Sequence, residues 1–117
     1  MATIDTIRPI KQNFKAYAND NWVWSVSVFS DEAQTLPVDL TIFVTMELKV
    51  RLLRGDGVDL VNADLTSGLS VVANLLAVDV NLTVDEDIKY EYDIQGTTAT
   101  GEIATVIQGQ IDTTLDV

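Results

Sequence analysis

Apolar and polar residues alternate one for one from Val44 to Leu52 within residues 41–53 (TIFVTMELKVRLL), and this restricts the fold more than any other feature of the chain. Side chains of an extended strand point to opposite faces in turn. Ile42, Val44, Met46, Leu48, Val50 and Leu52 therefore share one face, and Thr45, Glu47, Lys49 and Arg51 the other. A helix would scatter the same residues around its circumference. Residues 21–29 (NWVWSVSVF) repeat the pattern with both tryptophans of the chain, Trp22 and Trp24, in line with Val26 and Val28. Ser25 and Ser27 occupy the opposite face, so the tryptophan face is expected to point inward. The indoles then anchor a core beside valines and do not form a sugar-stacking platform.

The rest of the chain keeps the period of two. Residues 30–37 (SDEAQTLP) read as a loop, with Pro37 at a strand entrance because it has no amide to donate. Residues 54–57 (RGDG) form a turn with two glycines free to take positive φ. A short strand is expected over 58–61, then a loop over 63–68, with room for one short helical turn at 64–68. Strands over 69–73 and 75–84 form a hairpin that turns near Ala73 and Asn74. After a charged turn at 85–87, a strand over 88–94 sets Ile88, Tyr90, Tyr92 and Ile94 on one face. Residues 95–101 read as a hairpin loop, and a last strand over 103–112 is expected to bulge at Gly109. No segment has helical periodicity. Seven or eight strands at this spacing imply an all-β sandwich or barrel. A length of 117 residues suits one domain with its own core. That core is expected to include Trp22, Trp24, Val26, Val28, Met46, Leu48, Tyr90 and Tyr92.

Eighteen acidic residues against seven basic ones give a formal net charge of −11. Such a chain is repelled by nucleic acid and by anionic membrane surfaces, so neither is an expected partner. Histidine and cysteine are absent, which removes disulfides, thiolate metal sites and the commonest general base. No apolar run reaches the roughly 18 residues of a membrane helix. The opening MATIDTIRPIKQ lacks the apolar stretch of a secretory signal. The chain is expected to stay where it is made until it joins something.

The short motifs carry little chemistry. Arg54-Gly55-Asp56 is ordinary turn composition. Asp79 to Asp85 spaces oxygens like a calcium loop, but Val84 stands where glycine is needed and Tyr90 where glutamate is needed. A looser calcium site would draw on Asp85, Glu86 and Asp87, or on Asp56 and Asp59. Asn81-Leu82-Thr83 fits a glycosylation acceptor. Glu47 and Glu91 are the carboxylates worth weighing as an acid–base pair, yet both lie on polar strand faces where solvated carboxylates belong. No enzymatic activity and no cofactor are expected.

The order of features resembles a known family. Phe14 precedes a polar turn, Asn19-Asp20-Asn21, and then Trp22-x-Trp24-x-Val26-x-Val28. Pro37-Val38-Asp39-Leu40-Thr41 leads into the alternating strand with Met46 and Lys49-Val50-Arg51. Tyr90-Glu91-Tyr92-Asp93-Ile94 and Gly109-Gln110-Ile111 follow near the end. Over residues 14–112 this is similar to the small immunoglobulin-like β-sandwich modules of tailed-phage virions. Such modules stand at the N-terminus of the upper baseplate protein of lactococcal-type phages and in related tail, fibre and head-attached proteins. The family's turn before tryptophan often contains glycine, whereas Ala18-Asn19-Asp20-Asn21 does not. Upper baseplate proteins also continue into long receptor-carrying regions, so this chain is expected to be a stand-alone module.

The resemblance implies a single immunoglobulin-like β-sandwich of about seven or eight antiparallel strands over residues 12–117, preceded by an N-terminal arm over 1–11. It also implies a structural or accessory virion protein, assembled in the bacterial cytoplasm, whose partners are other virion proteins and symmetric copies. Asp39 is expected to accept backbone N–H bonds at the entrance to the long strand. Docking is expected through edge strands and both ends of the chain, with Ile4, Ile7, Arg8, Pro9, Ile10 and Lys11 at one end and Leu115 and Val117 at the other. The alternative is a carbohydrate- or receptor-binding sandwich, which needs an exposed aromatic platform.

Overall fold

The computed structural model describes residues 10–17, 21–29, 36–52, 59–82 and 89–114. These residues are almost entirely β and form two sheets packed as a sandwich. The strands are β1 (Ile10–Lys11), β2 (Phe14–Tyr17), β3 (Asn21–Ser27), β4 (Phe43–Leu52), β5 (Asp59–Asp64), β6 (Leu69–Val72), β7 (Leu75–Asn81), β8 (Lys89–Thr98) and β9 (Ile103–Thr114). One sheet runs β1-β9-β8-β4-β5, with β2 also on β9, and the other runs β3-β7-β6. The inward faces meet in one cluster that includes Trp22, Val28, Met46, Leu48, Leu76, Tyr90, Tyr92, Ile94 and Ile111.

The first strands are the main departure from an all-antiparallel arrangement. Both β1 and β2 run parallel to β9. Ile10 lies opposite Ile107 and Phe14 opposite Ile111, so the two share one register and form a single strand interrupted at Gln12 and Asn13. Counted that way, the described residues hold eight strands. Ile10 and Lys11, grouped by sequence with the arm, are part of the sheet.

At the interruption the Gln12 carbonyl turns inward and accepts a hydrogen bond from the Tyr92 hydroxyl at 2.6 Å. The Asn13 side chain takes the strand's place, accepting from the Gln110 amide at 3.0 Å. Gly109 makes this possible, because a Cβ there would overlap the Gln12 carbonyl oxygen. Gly109 itself pairs regularly with Tyr92, and the expected bulge lies elsewhere. The β8–β9 register shifts between Ile94 and Gln95, which face Ile107 and Thr105, so Val106 is the extra residue. The bulge sends both Val106 and Ile107 into the core.

A second bulge corrects the reading of the long strand. Phe43 faces Thr98 and Thr45 faces Thr97, which leaves Val44 unpaired. Val44 is 59% exposed, and Phe43 is buried in its place with its ring against Gly96. A bulge inverts the alternation on one side of it, which a period-two pattern cannot reveal. The strand also starts later than the alternation suggests. Leu40–Ile42 is a 3₁₀ turn capped by Asp39, whose carboxylate accepts from the Thr41 amide at 3.0 Å and the Thr41 hydroxyl at 2.6 Å. Strand β5 is longer than the expected 58–61, and β8 continues through Thr98, where a loop was expected.

The tripeptide Asp-Leu-Thr recurs at Asp64, and so does the geometry. Asp64 accepts from the Thr66 amide at 2.9 Å and hydroxyl at 2.6 Å, closing the turn into β6. The threonine side-chain hydrogen bonds, and then the backbone ones, hold both carboxyls below their ordinary value of 3.8. A carboxyl depressed in the folded state stabilises the fold above its unfolded pKa, and the contribution fades as pH falls through the folded value. Asp39→Ala and Asp64→Ala should each lower the melting temperature at neutral pH. The gap to the parent protein should close as the pH is taken down past the ordinary carboxyl value of 3.8 and through the lower folded values. A gap independent of pH in thermal melts would contradict this account.

The β6–β7 hairpin turns at Ala73 and Asn74, as the sequence indicates. Ala73 sits at φ +53°, where a side chain is strained. The turn is held from outside, since Ala73 O accepts from the Leu40 amide and Asn74 O from the Val28 amide. Ala73→Gly should remove the Cβ strain at a smaller entropic cost. The expected gain is about 0.5–1 kcal/mol, read as a higher urea midpoint with an unchanged slope.

Candidate docking surface

The two outer faces of the sandwich differ in charge. Every described basic side chain belongs to the six-stranded sheet: Lys11, Lys15, Lys49, Arg51 and Lys89. Arg51 lies 3.9 Å from Glu91 and 3.7 Å from Asp93, and Lys49 lies 3.7 Å from Glu47. These are surface pairs, worth little to stability individually. The Arg51 pairs line a shallow groove of about 430 Å³ between Lys11, Arg51, Glu91, Asp93, Gln108 and Gln110. Arg51 faces Glu91 while Glu47 faces Gln95, four residues away along β4. That spacing is roughly 13 Å, too far for Glu47 and Glu91 to act on one bond.

The three-stranded sheet is nearly without charge. Its strands read NWVWSVS, LSVV and LLAVDVN, with Asp79 their single ionisable residue. Cross-strand rows on its outer face are Ser27, Leu75 and Val72, then Ser25, Ala77 and Ser70. Val23 and Val72 are 64% and 72% exposed there.

β3 is also an edge, with β7 as its one neighbour among the described residues. The direction of its backbone groups follows from the antiparallel alternation. The Asp79 amide donates to Gly68 on the β6 side, and the Val28 amide donates to Asn74 on the β7 side. Even-numbered residues of β3 therefore bond to β7, and Val23, Ser25 and Ser27 turn their amides and carbonyls to the open edge. Behind that edge, Trp24 and Val26 are only half-buried.

Among the sequence-named residues, Trp22, Val28, Met46, Leu48, Tyr90 and Tyr92 are buried, and Trp24 and Val26 pack against them. Trp22 is 5% exposed and touches three rings. Its centroid is 5.1 Å from Phe14, 5.2 Å from Trp24 and 5.2 Å from Tyr92. The Trp22–Trp24 pair is thus part of an interior cluster. Burial raises the Tyr92 phenol above its ordinary range, so it remains a donor to Gln12. Ile10 packs against the core and Lys11 is exposed. Ile4, Ile7, Arg8, Pro9, Leu115 and Val117 lie outside the described residues, as do Arg54, Asp56, Asp85, Glu86 and Asp87. Among the described residues no cluster of acidic side chains is arranged to hold a metal ion. The sequence pointed to edges in general, but which edge is open depends on the parallel placement of β1 and β2, which carries no local signal.

No family model matches the chain, and no curated protein matches it. Among solved structures, it is similar to a 2,6-sialyltransferase from a Vibrionaceae Photobacterium, determined with CMP and lactose. The identity is 14% and the TM-score 0.35, over 92% of this chain and 18% of that one.

Proposed function

We propose that this chain is a structural or accessory protein of a tailed-phage virion, an immunoglobulin-like module that docks on a larger assembly through its rims. The observation that carries the reading is the strand order. β3-β7-β6 against β9-β8-β4-β5 matches the B-E-D and G-F-C-C′ layers of immunoglobulin sandwiches, with the first strand moved to the side of the last. The family-like motifs fall on corresponding parts of this frame. The tryptophan pair is on β3, Asp39-Leu40-Thr41 makes the turn before β4, the tyrosine pair is on β8, and Gly109 is on β9. Recognition then belongs to surfaces, through a sheet face whose strands carry Asp79 as their single ionisable residue and an open strand edge, and no catalysis is assigned. Its partners are other virion proteins and further copies of itself. Labelling the chain on native particles and imaging them by negative stain tests the proposal. A label at fixed, symmetry-related positions is expected, and particles without the chain would overturn it.

A further inference from the structure

Among the described residues, the open edge of β3 has none of the devices that normally keep strand edges apart. Asn-Trp-Val-Trp-Ser-Val-Ser contains no lysine, no proline and no charge, and its pairing with β7 runs without a register shift from Asn21 to Ser27. Resting on the docking reading above, we propose that this edge pairs antiparallel with β3 of a second copy, about a twofold axis at Ser25.

The register follows from the backbone. Odd-numbered residues present the amides and carbonyls to the open side and so must face one another; of the registers that allow this, an axis at Ser25 sets Trp24 against the smaller Val26 and not against the Trp24 of the second copy. Ser25 then exchanges two hydrogen bonds with its copy, and Val23 exchanges two with Ser27 on each side. Between them Trp24 lies opposite Val26 of the second copy, in the non-hydrogen-bonded pair where side chains come closest. Those are the two inward residues that the single sandwich leaves half-covered. Large meets small in each pair, Val23 with Ser27 and Trp24 with Val26, which gives the self-complementarity a twofold requires.

The self-complementary register points to a second copy as the occupant, and the near absence of charge on this sheet permits its approach. At −11, two copies repel over most of their surfaces. The three-stranded sheet, whose single ionisable residue is Asp79, is where they can approach. The result is one continuous sheet, β6-β7-β3-β3-β7-β6. One seven-residue edge buries well under the ~800 Å² per partner of a standard interface. The dimer is therefore weak in dilute solution, and holding copies together on a particle reinforces it.

Sedimentation velocity over a wide concentration range tests the pairing. A monomer–dimer equilibrium is expected, strengthened by added salt as the like charges are screened. Ser25→Pro should abolish the dimer and leave the fold intact, because the amide it removes faces the open edge and not β7. Ser25→Lys, which sets two ammonium groups face to face across the axis, should also abolish it, while Ser25→Thr retains it. In the parent protein, Trp24 should become less accessible to acrylamide as dimer accumulates. A parent protein that is monomeric at every concentration, because another chain or residues 1–9 fill the edge, overturns the proposal. So does a dimer that survives Ser25→Lys. A monomer in solution from a chain that is labelled on particles overturns the pairing alone. A Ser25-dependent dimer from a chain absent from particles supports the pairing and overturns the virion reading.

Discussion

Gly109→Ala should destabilise the protein by about 3–5 kcal/mol, a large share of the roughly 5–15 kcal/mol that holds a domain together. The added Cβ meets backbone, the Gln12 carbonyl carbon at 2.7 Å and its oxygen closer still. Backbone cannot rotate away as a side-chain tip can, so the crossover between β1 and β2 must lift off β9. That movement breaks the Tyr92 hydroxyl bond to Gln12 and the Gln12 amide bond to Gln108. It leaves the Tyr92 hydroxyl without its acceptor, at a cost of about 1–3 kcal/mol. Gly101→Ala provides the control. There φ is +89° but nothing lies within 4 Å of an added Cβ, so only backbone strain of about 1–2 kcal/mol is expected. Urea unfolding separates the two. A double-mutant cycle with Tyr92→Phe sharpens the test, because that substitution should cost about 1–2 kcal/mol in the parent and almost nothing once Gly109 carries a methyl group. Equal effects of Tyr92→Phe in both backgrounds would contradict the geometry at Gln12.

The role of Gly109 marks the limit of what the sequence reveals. Alternation identified an all-β sandwich or barrel and most of the core, because each inward face must be apolar whatever it packs against. Trp22 on β3, Val28 just after it, and Tyr90, Tyr92 and Ile94 on β8 could be read directly. Val44 and Val106 could not. A bulge is one residue of excess in one strand, defined only by its partner, so the apolar run Ile42-Phe43-Val44 breaks the alternation without saying which of its residues faces the core. Gly109 read as a bulge because glycine in a strand signals either a bulge or a close approach. The approaching group lies 97 residues earlier in the chain, so sequence could not choose between the two. The same holds for the candidate surface. β3 is an edge because β1 and β2 pair with β9 across the sandwich, and that choice rests on contacts between the two ends of the described chain.

Trp22→Ala should cost about 3–5 kcal/mol, since it empties the centre of the aromatic cluster that joins the two sheets. Trp22 meets Phe14 and Tyr92 edge to face, with interplanar angles of 89° and 81°, so it touches both β2 and β8 from β3. Ring pairs of this kind contribute about 0.5–1.5 kcal/mol each beyond the area they bury. Trp22→Phe should behave differently. Among the described residues the Trp22 indole nitrogen is buried without a hydrogen-bond partner, a penalty of about 1–3 kcal/mol that phenylalanine does not incur. Removing that donor offsets much of the volume lost, so Trp22→Phe should lie within about 1.5 kcal/mol of the parent. The ratio of the two effects tests the interior reading more sharply than either alone. Similar small shifts from both substitutions in thermal or urea unfolding would place the ring outside the core. Similar large losses would mean that the indole N–H is bonded in the folded protein and contributes to holding the sheets together.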